Sequence, residues 1–176
     1  MEEKIYFFSG KYELEGIIEK NSVSNGVVIT HPHPLYGGDM NNFIVDLIAR
    51  AYQKKGFTTL RFNFRGTANS QGSYDNGSGE QEDVHAALAT LVKMGIKKID
   101  LAGYSFGAWV NALAISKNNF VENMVMVSPP VGFVDFNHVN SIPCLKLVVT
   151  GSIDDIAPAD RIKKMCPAWN RKAHLE

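Results

Sequence analysis

Gly103-Tyr104-Ser105-Phe106-Gly107 sets one serine between two glycines, a spacing suited to nucleophilic chemistry when it joins a strand to a helix. The residues before it, Ile99 to Ala102, are apolar apart from Asp100, and Ala108 to Ile115 suits a helix. Such an elbow forces its serine into a strained backbone conformation, and a Cβ at either glycine would hold helix and strand apart. The hydroxyl then stands where backbone N–H groups and the helix dipole favour a developing negative charge. Ser105 is the candidate nucleophile.

A serine hydroxyl reacts poorly until a base takes its proton, and an acid serves to orient that base. Asp154, in the loop from Gly151 to Pro158, is the candidate acid. Its neighbour Asp155 reads as a capping or solvated carboxylate. Five histidines could supply the base. His31 and His33 precede the nucleophile, in a loop better suited to lending a backbone N–H to an oxyanion. His85 falls within a helical pattern, and His138 lies between strands with no spacing argument behind it. Only His174 follows Asp154 in the chain, so it is the candidate base; otherwise it is simply a strand or terminal residue.

These groups need elements to carry them. Ile5–Phe8 and Tyr12–Glu19 predict an antiparallel hairpin around Ser9-Gly10. Gly26 to Thr30 is a β-branched run without a polar face, as in a strand buried on both sides. It ends in the loop His31-Pro32-His33-Pro34-Leu35-Tyr36-Gly37-Gly38. Met40–Lys55 predicts a helix with Phe43, Leu47, Ile48 and Ala51 inward, closed by Gly56. Phe57–Phe64 is a strand leading into the loop from Arg65 to Gly79. Glu80–Met94 is a helix with Val84, Ala87, Leu88, Leu91 and Val92 on one face. Met124–Val127 and Cys144–Thr150 are further strands, and Ala159–Met165 a short helix. Alternating strands and helices predict a mostly parallel sheet in one α/β domain spanning residues 1–176. In such sheets ligands sit outside the carboxyl ends of the strands, where the His31–Pro34 loop, Arg65-Gly66, Ser105 and Asp154 all fall.

Composition narrows the partners. In 176 residues, 18 basic side chains balance 18 acidic ones, which argues against nucleic acid or an anionic membrane as partner. No apolar run approaches the ~20 residues of a membrane span, and Met1-Glu2-Glu3-Lys4 lacks a signal-peptide layout. A cytoplasmic protein with Cys144 and Cys166 as free thiols is expected.

His31-Pro32-His33-Pro34-Leu35-Tyr36-Gly37-Gly38, Arg61-Phe62-Asn63-Phe64-Arg65-Gly66 and Gly103-Tyr104-Ser105-Phe106-Gly107-Ala108 together resemble the small, lidless bacterial α/β-hydrolases akin to dienelactone hydrolase. Ser70-x-Gly72, Asp75-x-Gly77-x-Gly79-Glu80 and Asp83 belong to the same pattern. The resemblance runs from about Ile17 to Pro158. It implies an α/β-hydrolase fold and a serine hydrolase, esterase-like, acting on a small ester without metal or cofactor. It makes Ser105 the nucleophile and Asp154 the acid, with the N–H groups of Phe106 and His33 as oxyanion donors. In the loop from Arg65 to Glu80, which is expected to line the pocket, Asp75 and Glu80 read as bracing the loop rather than reacting.

The pattern differs at the carboxyl end. The family carries a further strand, a histidine-bearing loop and a final helix after the acid, whereas Lys172 to Leu175 reads as the start of that strand. The expectation is a shortened chain with the last strand or helix missing or incomplete and the usual base absent. Two predictions accompany it: an uncovered sheet edge that favours a homodimer, and a competing role as a catalytically impaired binding domain for a small molecule.

Overall fold

The computed structural model describes residues 1–115 and 121–176. Its centre is an eight-stranded sheet in the order β1-β2-β4-β3-β5-β6-β7-β8. The strands are β1 (Glu2–Ser9), β2 (Tyr12–Glu19), β3 (Asn25–Thr30), β4 (Thr58–Phe62), β5 (Lys98–Tyr104), β6 (Val121–Val127), β7 (Leu145–Val149) and β8 (His174–Leu175). β1 and β2 form the expected hairpin, β2 runs antiparallel to β4, and all remaining pairs are parallel. The expected last strand is present as two residues.

Helices cover both faces. α1 (Phe43–Lys54) lies on one, where Val45 and Ala49 pack against Val27, Ile29 and Ala102. α2 (Ser78–Lys93), α3 (Phe106–Ile115) and α4 (Ala159–Trp169) contribute to the larger core on the other. There Val84, Leu88, Val110, Ile162 and Trp169 join Leu101, Met124 and Val148. The inward stripe of α1 differs from the sequence reading, because Phe43 and Leu47 are exposed while Val45 and Ala49 are buried. Both stripes are apolar at helical spacing, so periodicity alone does not choose between them. In α2 the expected face is buried except for Val92. α4 continues past Met165 through Pro167 to bury Trp169.

The strand order reverses at β3, which has β4 on one side and β5 on the other. Ligand crevices form at such switch points, outside the carboxyl ends of the strands. Thr30 pairs with Gly103 at the end of the β3–β5 ladder, so the loop after β3 and the turn after β5 emerge side by side. No described helix is long and apolar enough to cross a membrane.

Candidate active site

Ser105 occupies the turn between β5 and α3 with φ +53°, the left-handed region that costs a non-glycine residue about 1–2 kcal/mol. Both neighbouring glycines are required by close packing. A Cβ on Gly103 would fall 2.6 Å from the Ala108 nitrogen, and one on Gly107 would fall 2.5 Å from Thr30 Oγ1 and 2.8 Å from the His31 carbonyl oxygen. The second contact seats the amino end of α3 directly on the loop after β3. The N–H of Ser105 donates to the Val127 carbonyl at 2.9 Å, which ties the elbow to the end of β6.

Ser105 lines a cavity of about 320 Å3 with Pro32, His33, Tyr36, Phe133 and Ile156. Phe106, the residue after the serine, is buried, and the His33 ring packs on it with centroids 4.7 Å apart. Among the described residues, neither the His33 nor the Phe106 backbone N–H has a hydrogen-bond acceptor. For Phe106 this follows from its place at the start of α3, where the first amides have no partner within the helix. The Ser105 hydroxyl likewise has no hydrogen bond among the described residues.

His31 is wholly buried and held at both nitrogens: Nε2 accepts the Phe64 N–H at 3.0 Å, and Nδ1 lies 2.7 Å from the Pro32 carbonyl. The acceptor role of Nε2 leaves the proton on Nδ1. Burial lowers its pKa to about 4, so the ring is a neutral clasp between β3 and the segment following β4. His33 is engaged in the same way. Its Nδ1 accepts the Leu35 N–H at 3.2 Å, and Nε2 meets the Tyr74 hydroxyl at 3.2 Å. Burial lowers the His33 pKa as well.

The loop from Arg65 to Gly79 is braced by buried charge. Arg65 grips Asp83, with Nη2 to Oδ1 at 2.8 Å and its backbone N–H on Oδ2 at 3.0 Å. A Cβ on Gly79 would meet the Arg65 guanidinium, so the glycine leaves space for that ion pair. Glu80 accepts the N–H groups of Asp75 at 2.8 Å and Gly77 at 2.7 Å; burial pushes its carboxyl up despite them. Glu15, unremarked in the sequence, holds the same region from β2. It accepts from Asn63 at 2.8 Å and from the Asn69 backbone at 2.9 Å. Burial raises the Glu15 carboxyl, but the bonds from Asn69, Asn63 and Lys4 outweigh it and lower the pKa to about 2.

The remaining candidates lie on other elements. Asp154 sits in the loop after β7, where Oδ1 accepts the N–H groups of Ile156 at 3.0 Å and Ala157 at 2.8 Å. The turn that this builds presents Ile156 to the Ser105 cavity, while Asp155 is exposed. His174 is not brought to Ser105: it lies within β8, paired in register with Leu147, and its exposed ring meets Glu176 at 3.0 Å. Strand pairing fixes it on the sheet edge rather than on a loop beyond the strand. His85 Nε2 bonds the Ala114 carbonyl at 3.1 Å, and His138 is exposed. Among the described residues no three of His, Cys, Asp and Glu converge to hold a metal ion. Cys144 and Cys166 are unpaired, as expected.

Sequence reasoning missed Phe133 and Ile156. Both follow strands, β6 and β7, so the rule that directs attention to carboxyl ends of strands reaches them as well. Gly132 brings the two loops together: its N–H donates to the Ile156 carbonyl at 2.9 Å, and a Cβ there would lie 2.9 Å from that oxygen.

No family model matches the chain. It is 33% identical over 181 residues to an uncharacterized protein of Rickettsia prowazekii, covering 98% of this chain and 76% of the relative. Among solved structures, an α/β serine hydrolase homologue from Coxiella burnetii is 34% identical with a TM-score of 0.88, covering 99% of this chain and 86% of that one. A lidless α/β serine hydrolase from Xanthomonas campestris is 28% identical with a TM-score of 0.89, covering 99% and 82%. The sheet, its amino-terminal hairpin and the helices on both faces are thus the α/β-hydrolase fold, and the chain belongs to the α/β-hydrolase family.

Proposed function

We propose that this protein is an esterase-like serine hydrolase in which the Ser105 hydroxyl attacks the acyl carbon of a small ester. The observation that carries the reading is the left-handed backbone of Ser105, beside two unengaged N–H groups, those of Phe106 and His33. In the step itself the serine oxygen bonds to the acyl carbon while its proton passes to a solvent base. The tetrahedral oxyanion is held by the Phe106 and His33 amides, and the leaving alkoxide departs with a proton. Water then attacks the acyl-serine and releases the acid. Asp154 is the acid of this site, in the chain order nucleophile then acid. Turnover of 4-nitrophenyl acetate tests the proposal: Ser105→Ala should remove the enzymatic rate, and equal rates in both proteins would refute it.

One observation favours a second reading, a small-molecule binding domain of weak activity. Both nitrogens of His33 are engaged, and His174 is held on the sheet edge. No imidazole among the described residues therefore stands free beside Ser105. On this reading the oxyanion donors and cavity persist, and what is lacking is the proton acceptor.

A further inference from the structure

The cavity at Ser105 is lined by the Ser105 hydroxyl, the His33 imidazole, the Tyr36 phenol ring and otherwise apolar groups. Among the described residues, no lysine or arginine lines it. Arg65, the cation of the neighbouring loop, is buried and committed to Asp83. Carboxylates flank its lining residues in the chain. Asp154, Asp155 and Asp160 line a smaller pocket of about 210 Å3 next to Ile156, and Asp135 lies two residues beyond Phe133.

The rim is also unusually apolar for its exposure. Tyr36 is 74% exposed, Phe133 54% and Ile156 56%, and the Tyr36 and Phe133 rings meet edge to face at 5.8 Å. The His33 ring lies 4.9 Å from Tyr36 and 6.0 Å from Phe133, centroid to centroid. These side chains form one continuous aromatic wall rising from beside the nucleophile. Clustered exposed apolar groups around a concave site mark a binding surface.

Resting on the reading of Ser105 as nucleophile, we propose that the cavity selects an uncharged, apolar acyl group held by Tyr36, Phe133 and Ile156, and rejects acyl groups bearing a carboxylate. A carboxylate entering this cavity would lose its water without meeting a cation among the lining residues. That desolvation penalises one substrate class while the apolar wall attracts another.

Matched pairs of equal shape test it. In the Ser105→Ala protein, benzamide and benzoate binding is titrated by ligand-observed NMR. Benzamide should bind at least about tenfold more tightly, and Tyr36→Ala with Phe133→Ala should weaken benzamide by about tenfold while leaving benzoate unaffected. Equal or tighter benzoate binding, or benzamide binding indifferent to both substitutions, would overturn the proposal. Thermal melts of the two exposed-site variants establish that they are folded. In the unsubstituted protein, 4-nitrophenyl butyrate should be hydrolysed at least about tenfold faster than 4-nitrophenyl hemisuccinate at equal low concentration. Absence of hydrolysis with the benzamide preference intact would overturn the role of Ser105 and leave the selectivity standing, so the two claims fail separately.

Discussion

His31 Nε2 accepts the backbone N–H of Phe64 at 3.0 Å, linking the loop beside Ser105 to the segment that follows β4. That acceptor is lost if the ring is protonated, and burial already lowers its pKa to about 4. In the unfolded chain the ring takes a proton near pH 6.5. Between these values the unfolded state binds the extra proton, so stability is complete above pH 6.5 and falls as the pH drops toward 4. At pH 5 the loss should be about 2 kcal/mol relative to neutral pH. Urea unfolding across this range checks it. His31→Gln, which has no titrating ring, should flatten the dependence between pH 6.5 and 4. Glu15 acts in a different window, its stabilisation being lost as pH falls from the ordinary carboxylate range toward about 2.

The elbow makes a prediction independent of any reaction. Ser105 holds φ at +53°, which glycine adopts freely and alanine does not. Ser105→Gly should therefore be more stable than Ser105→Ala by about 1 kcal/mol, although both lack the hydroxyl. Thermal denaturation of the two variants decides this, and an alanine variant as stable as the glycine one would argue against a strained elbow.

Gly107 is constrained differently, by contact rather than by φ. A methyl group there would press on Thr30 Oγ1, the Thr30 carbonyl carbon and the His31 carbonyl oxygen, and the two backbone atoms cannot retreat without moving the end of β3. Gly107→Ala should destabilise by about 3 kcal/mol and separate the His33 amide from that of Phe106. Hydrolysis should then fall even at temperatures where the variant remains folded. Chemical denaturation and ester turnover measured on the same sample separate the two effects.

With both His33 nitrogens engaged and His174 on β8, an external base should substitute for the one that is not at hand. Added imidazole should raise 4-nitrophenyl acetate turnover above the sum of the enzymatic and free-imidazole rates, and Ser105→Ala should abolish that excess. His174→Ala should change turnover by less than about twofold, whereas removing a true general base costs orders of magnitude. A large loss in His174→Ala would show that the edge strand rearranges to deliver its ring.

Much of the site's frame was legible in the sequence because it depends on local rules. The Gly-x-Ser-x-Gly spacing, the β-branched run into His31 and the acidic first turn of α2 each announce a local conformation. The hairpin was legible in the same way, although the turn falls at Gly10-Lys11, one residue later than Ser9-Gly10, because Ser9 still pairs with Tyr12. What was not legible depends on partners distant in sequence. The part played by the His31 ring depends on Phe64, which lies on another element. Glu15 goes unremarked in the sequence because Asn63 and Asn69 arrive from elsewhere. The buried stripe of α1 was ambiguous because two apolar stripes share the helix, and only contact with Val27 and Ile29 selects one. α4 was cut short at Met165 because Pro167 reads as a helix breaker, whereas burial of Trp169 carries the helix past it. The position of His174, by contrast, follows from its place at the start of a strand, as the sequence suggested.

The central claim concerns Ser105, and covalent labelling addresses it most directly. The purified protein is treated with a small uncharged fluorophosphonate and its intact mass is followed with time, with Ser105→Ala in parallel. One phosphonyl group added per chain, mapped to Ser105 and absent from the alanine variant, is the predicted result. No mass shift, or equal labelling of both proteins, would contradict it.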